Sequence, residues 1–207
     1  MFRFMLITNR RLSRRPLQEI VSGAVSGGVD AVQIREKDLP GCPLYEFASD
    51  VLNWVGNDVS VIINSRTDVA LAAGASGVHL GETGLPVSRV RSIAPEGFLI
   101  GYSAHSVEEA LEAERCGADY VTLSPVFPTG SKPGAPPLGL EVLGDAASRL
   151  NIPVIALGGI NAANAGWVGA VGAAGIAVIS AVYAAEDPHL AASRLLTSFQ
   201  RKNGGPL

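Results

Sequence analysis

Eight short apolar runs, separated by segments of helical period, constrain the fold of this chain more than any other feature of its sequence. Their residues are apolar at successive positions rather than alternate ones, which is typical of strands buried on both faces of a parallel sheet. Eight strands that alternate with helices in one chain predict an α/β fold, a (β/α)₈ barrel of the TIM type. The runs are FRFMLITN, AVQIRE, VSVIINS, GVHLG, FLIGYSA, YVTLSPVF, PVIALGGI and GIAVISAV.

Amphipathic segments between the runs are expected to form the helices. One of them opens with Ser106 and carries Glu109 three positions later, the pattern of a capping box at a helix N-terminus. The helices are predicted to end at glycines in SGGVDAV, AAGASGV, CGADYV and VGAAGIAV, because glycine readily adopts the left-handed conformation that closes a helix. The alternative fold, a doubly wound open sheet, lacks a G-x-G-x-x-G phrase after the first run. We expect residues 1–207 to form one barrel domain.

Composition and charge exclude several classes of protein. The net charge of −3 gives no electrostatic basis for binding nucleic acid or an anionic membrane. No apolar run reaches the length of a membrane span. Cys42 and Cys116 are too few and too far apart for a disulfide framework, so we expect buried free thiols. Together these features predict a cytoplasmic protein.

Polar residues and glycines follow most of the runs, at the points where the predicted strands end. The carboxyl ends of the strands meet at one rim of such a barrel, and that rim carries the active site. The convergence therefore predicts a binding site at the mouth of the barrel. The residues are Gln33, Arg35, Lys37, Asn64, Ser103, His105, Thr129, Ser131, Lys132, Gly158, Gly159 and Ser180.

Several of these residues indicate that the ligand carries phosphate. Gly158 and Gly159 would let a phosphate approach the backbone closely, although a tight turn between strand and helix is an equally good reason for them. Arg35, Lys37 and Lys132 favour the phosphate site, because cations aimed into one rim are costly without an anion. The Pro- and Gly-rich segment 127–139 is either a surface linker or a loop that wraps the phosphate and excludes water.

Two histidines are candidates for proton transfer. His105 shares a strand end with the Ser103 hydroxyl, so it is a candidate acid or base, with helix capping as the alternative. His79 lies within a predicted strand, where a hydrogen-bonded core histidine is the simpler interpretation.

The motifs resemble one family along essentially the whole chain. VQIREK, INSRTDVALAAGASGVHLG, IGYSAHSVEEALEAERCGADYV, SPVFPTGSKPGAPPLGLE and PVIALGGI are similar to thiamine-phosphate synthase and its sister enzyme, thiazole tautomerase. The resemblance implies a (β/α)₈ barrel that acts on thiazole phosphate in thiamine biosynthesis. In the synthase, a pyrimidine diphosphate ionises and the thiazole nitrogen attacks the carbocation, with magnesium bound to the diphosphate.

The resemblance also implies roles for the rim residues. Gln33 would face the pyrimidine, and Ser103 would lie beside the leaving group. The diphosphate would be held by Arg35, Lys37, Asn64 and Lys132. The thiazole phosphate would be held by Thr129 and Ser131 and by the backbone at Gly158, Gly159 and Ser180.

Four positions depart from the pattern of one or the other of these enzymes. Ser65 and Gly84 stand where the synthase has the two aspartates that bind magnesium, and the nearby Glu82 stands where the family usually has glutamine. Pro125 stands where the tautomerase has its catalytic histidine, as it does in synthases. From the missing acids we predict a tautomerase-like isomerase that needs no metal or other cofactor and uses His105 with Ser103. The alternatives are a Mg²⁺-dependent synthase and a non-catalytic binder of thiazole or thiamine phosphate. The sequence leaves a homodimer open.

Overall fold

The computed structural model of the chain describes residues 2–130 and 134–202. Eight parallel strands form a closed barrel in sequential order, with β1 paired to both β2 and β8, so the predicted (β/α)₈ fold is confirmed. The strands are β1 (Phe4–Ile7), β2 (Ala31–Ile34), β3 (Ser60–Asn64), β4 (Gly77–Leu80), β5 (Leu99–Ala104), β6 (Tyr120–Leu123), β7 (Val154–Leu157) and β8 (Gly175–Val178).

Helices connect the strands and surround the barrel. They are α1 (Leu17–Ser26), α2 (Gly41–Val55), α3 (Thr67–Ala73), α4 (Val87–Arg91), α5 (Val107–Arg115), α6 (Gly139–Arg149), α7 (Ala165–Ala170), α8 (Ser180–Tyr183) and α9 (Pro188–Arg201), with a 3₁₀ turn at Arg10–Leu12. In the described part of the chain, no helix is both long enough and apolar enough to cross a membrane.

Alternate residues of most strands face two different apolar layers. In β1, Phe4 and Leu6 pack outward against the helices, whereas Met5 and Ile7 point into the barrel. Because both faces are buried, the strands are apolar at successive positions, as the sequence indicates. The interior layer consists of Phe2, Met5, Ile7, Ala31, Ile62, Tyr120, Ile155 and Ala177.

The junctions between helices and strands follow the sequence predictions closely. Each of the four glycine phrases contains a residue with positive φ, namely Gly28, Gly74, Gly117 and Gly172. The run YVTLSPVF is a strand only as far as Leu123, because Pro125 has no N–H to donate to a sheet.

The two cysteines are free thiols, but the prediction that both are buried is wrong. Cys42 is exposed in the first turn of α2, and Cys116 is half-buried at the end of α5. Their sulfur atoms lie near the carboxylates of Glu46 and Glu112, each one helical turn away.

Candidate active site

A cavity of about 600 Å³ opens at the carboxyl ends of the strands. The structure brings together around it every predicted site residue that it describes: Gln33, Arg35, Lys37, Asn64, Ser103, His105, Thr129, Gly158, Gly159 and Ser180. Ser131 and Lys132, the other two predicted residues, lie outside the described residues. The convergence predicted at the rim is therefore present for all ten residues that the structure describes.

The extended backbone at the end of β2 separates two cations from a neighbouring acid. Gln33, Arg35 and Lys37 line the cavity. Gln33 and Arg35 do so because side chains alternate along an extended chain, and Lys37 lies in the turn that follows. Glu36 faces the opposite way, where its Oε1 accepts the backbone N–H of Arg10 at 3.0 Å and its Oε2 lies 3.3 Å from the Arg10 Nε. Because Arg10 balances Glu36, the two cations of this segment are left to face the cavity.

The side-chain amide of Gln33 is a buried donor at the wall of the cavity. The residue is 2% exposed, and its Nε2 has no hydrogen-bond partner within the described ranges. An unsatisfied buried donor costs about 1–3 kcal/mol. Since Gln33 lines the cavity, an acceptor on a bound molecule would recover that cost.

Ser65 and Glu82 lie on the side of the cavity formed by β3 and β4. Ser65 adopts the left-handed conformation at φ 62°, and its Oγ accepts a hydrogen bond from the Asn64 side-chain amide at 3.1 Å. Glu82 is exposed and is the only carboxylate among the described residues that line the cavity.

These residues do not fit the magnesium ion that the resemblance implies. Mg²⁺ prefers anionic oxygen ligands in octahedral geometry. Ser65 offers a hydroxyl already bonded to Asn64, and Gly84 offers no side chain. Within residues 2–130 and 134–202, no three His, Cys, Asp or Glu side chains come together as a metal site. Among the described residues, Glu82 is left as the single acid that lines this part of the cavity.

A buried histidine lies at the floor of the cavity. His79 Nε2 is 2.9 Å from the Ser103 hydroxyl and 3.3 Å from the Thr122 hydroxyl, and Nδ1 is 3.0 Å from the Tyr120 hydroxyl. Burial, assisted by the positive charge of Arg35, lowers the pKa of His79 from 6.5 to about 3. The sequence interpretation of His79 as a hydrogen-bonded core histidine is confirmed. His79 also lines the cavity beside Ser103, a position that no local sequence pattern indicates.

His105 is exposed at the end of β5 and lines the cavity. Its Nδ1 donates to the carbonyl oxygen of Ser124 at 2.7 Å. The alternative in which His105 caps a helix is wrong, because the Ser106 hydroxyl caps α5 by accepting the Glu109 N–H at 3.1 Å. The predicted capping box is complete, since Glu109 in turn accepts the backbone N–H of His105 at 2.8 Å. Proton transfer by His105 stays a prediction.

Gly158 and Gly159 are required by the local backbone and by close packing. Both have positive φ, 99° and 67°. A Cβ on Gly158 would lie 2.8 Å from the Cα of Pro125, and one on Gly159 would lie 2.5 Å from the carbonyl oxygen of Pro128. A tight turn between strand and helix is thus sufficient to explain the two glycines. Their position at the cavity is compatible with phosphate binding, which stays a prediction.

The sequence matches known proteins over most of its length. The profile of the thiamine monophosphate synthase family matches residues 4–182, a range that contains all eight strands. The thiamine-phosphate synthase of Methanocella arvoryzae is 47% identical over 195 residues, covering 92% of this chain and 91% of that protein. A putative thiamine-phosphate synthase of Geobacter sulfurreducens is 45% identical over 198 residues, covering 94% and 93%. The solved structure of a thiamine phosphate pyrophosphorylase from Pyrococcus furiosus has a TM-score of 0.87 at 40% identity and covers 98% of both chains.

Proposed function

Because the chain belongs to the thiamine monophosphate synthase family, we propose that it joins a pyrimidine diphosphate to a thiazole phosphate as a thiamine-phosphate synthase. The relatives support this function, which is the alternative that the sequence leaves open. They give no support to the main prediction, a thiazole tautomerase. Ser65 and Gly84, which stand where the family has aspartates, affect only how a cation is held. Similarity over most of the chain supports the family's reaction.

The proposed reaction is a substitution at the exocyclic methylene carbon of the pyrimidine. The bond from this carbon to the diphosphate oxygen breaks, and its electron pair leaves with the diphosphate. The thiazole nitrogen donates its lone pair to the same carbon, and the new carbon–nitrogen bond makes thiamine phosphate. The protein must therefore hold two phosphorylated groups at once and stabilise the negative charge that develops on the leaving oxygen.

One side of the cavity has the chemistry to hold the pyrimidine diphosphate. Arg35 and Lys37 provide two positive charges there, and Asn64 on the adjacent β3 provides an amide. The observation that carries the proposal is the buried Nε2 of Gln33, since a pyrimidine ring nitrogen beside these cations would accept its hydrogen bond. The proposal gives the protein cations, rather than a metal carried by protein acids, the task of offsetting the diphosphate charge.

The opposite side of the cavity is suited to the thiazole phosphate. Thr129, Gly158, Gly159 and Ser180 follow β6, β7 and β8, which lie across the closed barrel from β2, β3 and β4. Ser103 lies near the end of β5, between the two sides, which agrees with a role beside the bond that breaks. A cavity of about 600 Å³ is within the usual range for small-molecule sites and has room for both substrates.

The test is direct formation of the product. Purified protein is mixed with hydroxymethylpyrimidine diphosphate and thiazole phosphate, with and without Mg²⁺, and thiamine phosphate and free diphosphate are measured together. We expect the two products in equal amounts. Gln33→Leu should lose most of the activity, whereas Gln200→Leu, a substitution at an exposed position of α9, should retain it. Absence of both products at every Mg²⁺ concentration would overturn the proposal.

A further inference from the structure

A chain of hydrogen-bonded side chains connects the interior of the barrel to the cavity. It runs from the Tyr120 hydroxyl to His79 Nδ1 at 3.0 Å, and from His79 Nε2 to the Ser103 hydroxyl at 2.9 Å. Tyr120 is 0% exposed and His79 is 2% exposed, whereas Ser103 is half-buried and lines the cavity. The inner end of this series of hydrogen bonds is therefore closed to solvent, and its outer end lies at the cavity.

The phenol determines which nitrogen of His79 carries the proton. Burial raises the pKa of Tyr120 well above its ordinary value, so the phenol keeps its proton. His79 Nδ1 is the hydrogen-bond partner of that phenol in the described part of the chain. If Nδ1 carried a proton, the phenol proton would have no acceptor and would incur the cost of an unsatisfied buried donor. The phenol therefore donates to Nδ1, and the single proton of the neutral ring lies on Nε2.

Thr122 presents the competing arrangement. Its hydroxyl is also buried and lies 3.3 Å from Nε2, and it could donate there only if Nδ1 held the ring proton. That arrangement is the weaker one for two reasons. A phenol is a stronger hydrogen-bond donor than an aliphatic hydroxyl, and a threonine hydroxyl rotates to find other acceptors. The contact is also longer than those to Tyr120 and Ser103.

We propose that His79 is a positioning residue: its Nε2–H donates to the Ser103 oxygen and so turns the Ser103 hydroxyl proton into the cavity. This inference deepens the proposed function and rests on it, because Ser103 would then donate to the diphosphate oxygen as it leaves. Tyr120 acts one step further back by holding the tautomer of His79. A neutral imidazole suits this role, since it supplies one donor and one acceptor in fixed directions.

The adjacent strand makes room for this pair. Gly101 lies in β5 two positions before Ser103, on the same face. A Cβ at Gly101 would lie 2.5 Å from His79 Nδ1 and would also collide with the Tyr120 ring and hydroxyl. The strand that carries Ser103 thus lacks a side chain at the point where the histidine and the phenol meet.

The tautomer is tested on the free protein by long-range ¹H–¹⁵N NMR of ¹⁵N-histidine-labelled material. The signal of His79 is assigned with His79→Gln, because the chain has only three histidines. We expect an unprotonated Nδ1 and a protonated Nε2 from pH 8 down to pH 5. A proton on Nδ1 would overturn the inference whether or not the protein makes thiamine phosphate.

The consequence for Ser103 is tested by kinetics. Tyr120→Phe keeps the ring but removes the donor, so kcat should fall about tenfold, the effect of one hydrogen bond, with KM unchanged for both substrates. The NMR spectrum of this variant should show both tautomers. The matched control Tyr102→Phe removes a phenol from the outward face of β5 and should change neither kcat nor the tautomer. Equal behaviour of the two variants would overturn the inference. Absence of product in the unsubstituted protein would instead overturn the proposed function and leave the NMR result intact.

Discussion

Replacement of Gly101 by alanine is expected to destabilise the barrel by about 3 kcal/mol. The added Cβ would lie 2.5 Å from His79 Nδ1 and would collide with the Tyr120 ring. Tyr120 cannot move aside easily, because it is 0% exposed and its ring packs edge-on against Phe2 at a centroid distance of 4.9 Å. Overpacking of a buried site costs about 1–3 kcal/mol, and the rigidity of this one points to the upper end. For a chain of this size, about 3 kcal/mol lowers the melting temperature by roughly 6–12 °C.

Thermal unfolding followed by circular dichroism measures this effect. The control is Gly144→Ala in α6, whose Cβ would lie at an ordinary 3.6 Å from Val171 and should stabilise the helix by up to about 1 kcal/mol. In a double-mutant cycle, Tyr120→Leu should lessen the cost of Gly101→Ala, because leucine lacks the outer ring atoms that the Cβ meets. Equal melting temperatures for Gly101→Ala and Gly144→Ala would refute the reasoning.

Three further predictions concern pH, anion binding and the metal. Because the pKa of His79 falls from 6.5 to about 3 on folding, the unfolded state takes up the proton first. The free energy of unfolding should therefore decrease by up to about 1.4 kcal/mol per pH unit below pH 6.5. Urea titrations at pH 7 and pH 5 measure this decrease. An equally large decrease in the His79→Gln variant would contradict the prediction. Arg35→Ala should weaken the binding of inorganic diphosphate by at least about tenfold in calorimetry, because a charged partner is lost. The control Arg89→Ala on α4 should bind diphosphate like the unsubstituted protein. Equal losses of diphosphate affinity in the two variants would argue against the assigned site. The double substitution Ser65→Asp and Gly84→Asp should tighten the binding of Mg²⁺ in the presence of inorganic diphosphate by about tenfold or more in calorimetry, because it adds two carboxylate ligands. Equal Mg²⁺ affinities of this variant and the unsubstituted protein would contradict the prediction.

The fold could be predicted from the sequence because its signals are local and repeated. An apolar run such as AVQIRE indicates a strand covered on both faces, and a glycine such as Gly117 indicates where a helix ends. The rim residues follow from the same reasoning. Once the strands are known, the carboxyl ends of parallel strands must meet, so Arg35 and Ser103 fall around one cavity although they are far apart in the chain.

The side-chain contacts that set the charge and hydrogen bonding of the site join residues far apart in the chain, so the sequence alone does not reveal them. His79 within GVHLG looks like a core residue, and nothing near it in the chain indicates that Tyr120 lies 3.0 Å from its ring. Glu36 stands between two cations in sequence, yet its charge is balanced by Arg10 from the preceding loop. Such pairings depend on strand register and on the alternation of side chains, which become known only with the fold.

The reaction was the least predictable feature. Ser65 and Gly84 occupy only two positions, and they favour a tautomerase, whereas similarity to synthases extends over most of the chain. Pro125, which agrees with the synthase pattern, was the local sign that pointed the other way.

The side chains that fill the amino-terminal half of the barrel leave the substrates one route into and out of the cavity. Phe2, Met5, Tyr120 and Ile155 close the amino-terminal end with packed hydrocarbon and aromatic rings. Molecules that arrive from the opposite end must therefore depart by the route they came in. In the proposed reaction, the substrate that binds deeper in the cavity must bind first. The product that lies deeper can leave only after the product nearer the opening has dissociated. Turnover would then be set as much by the order of departure as by the making of the new bond.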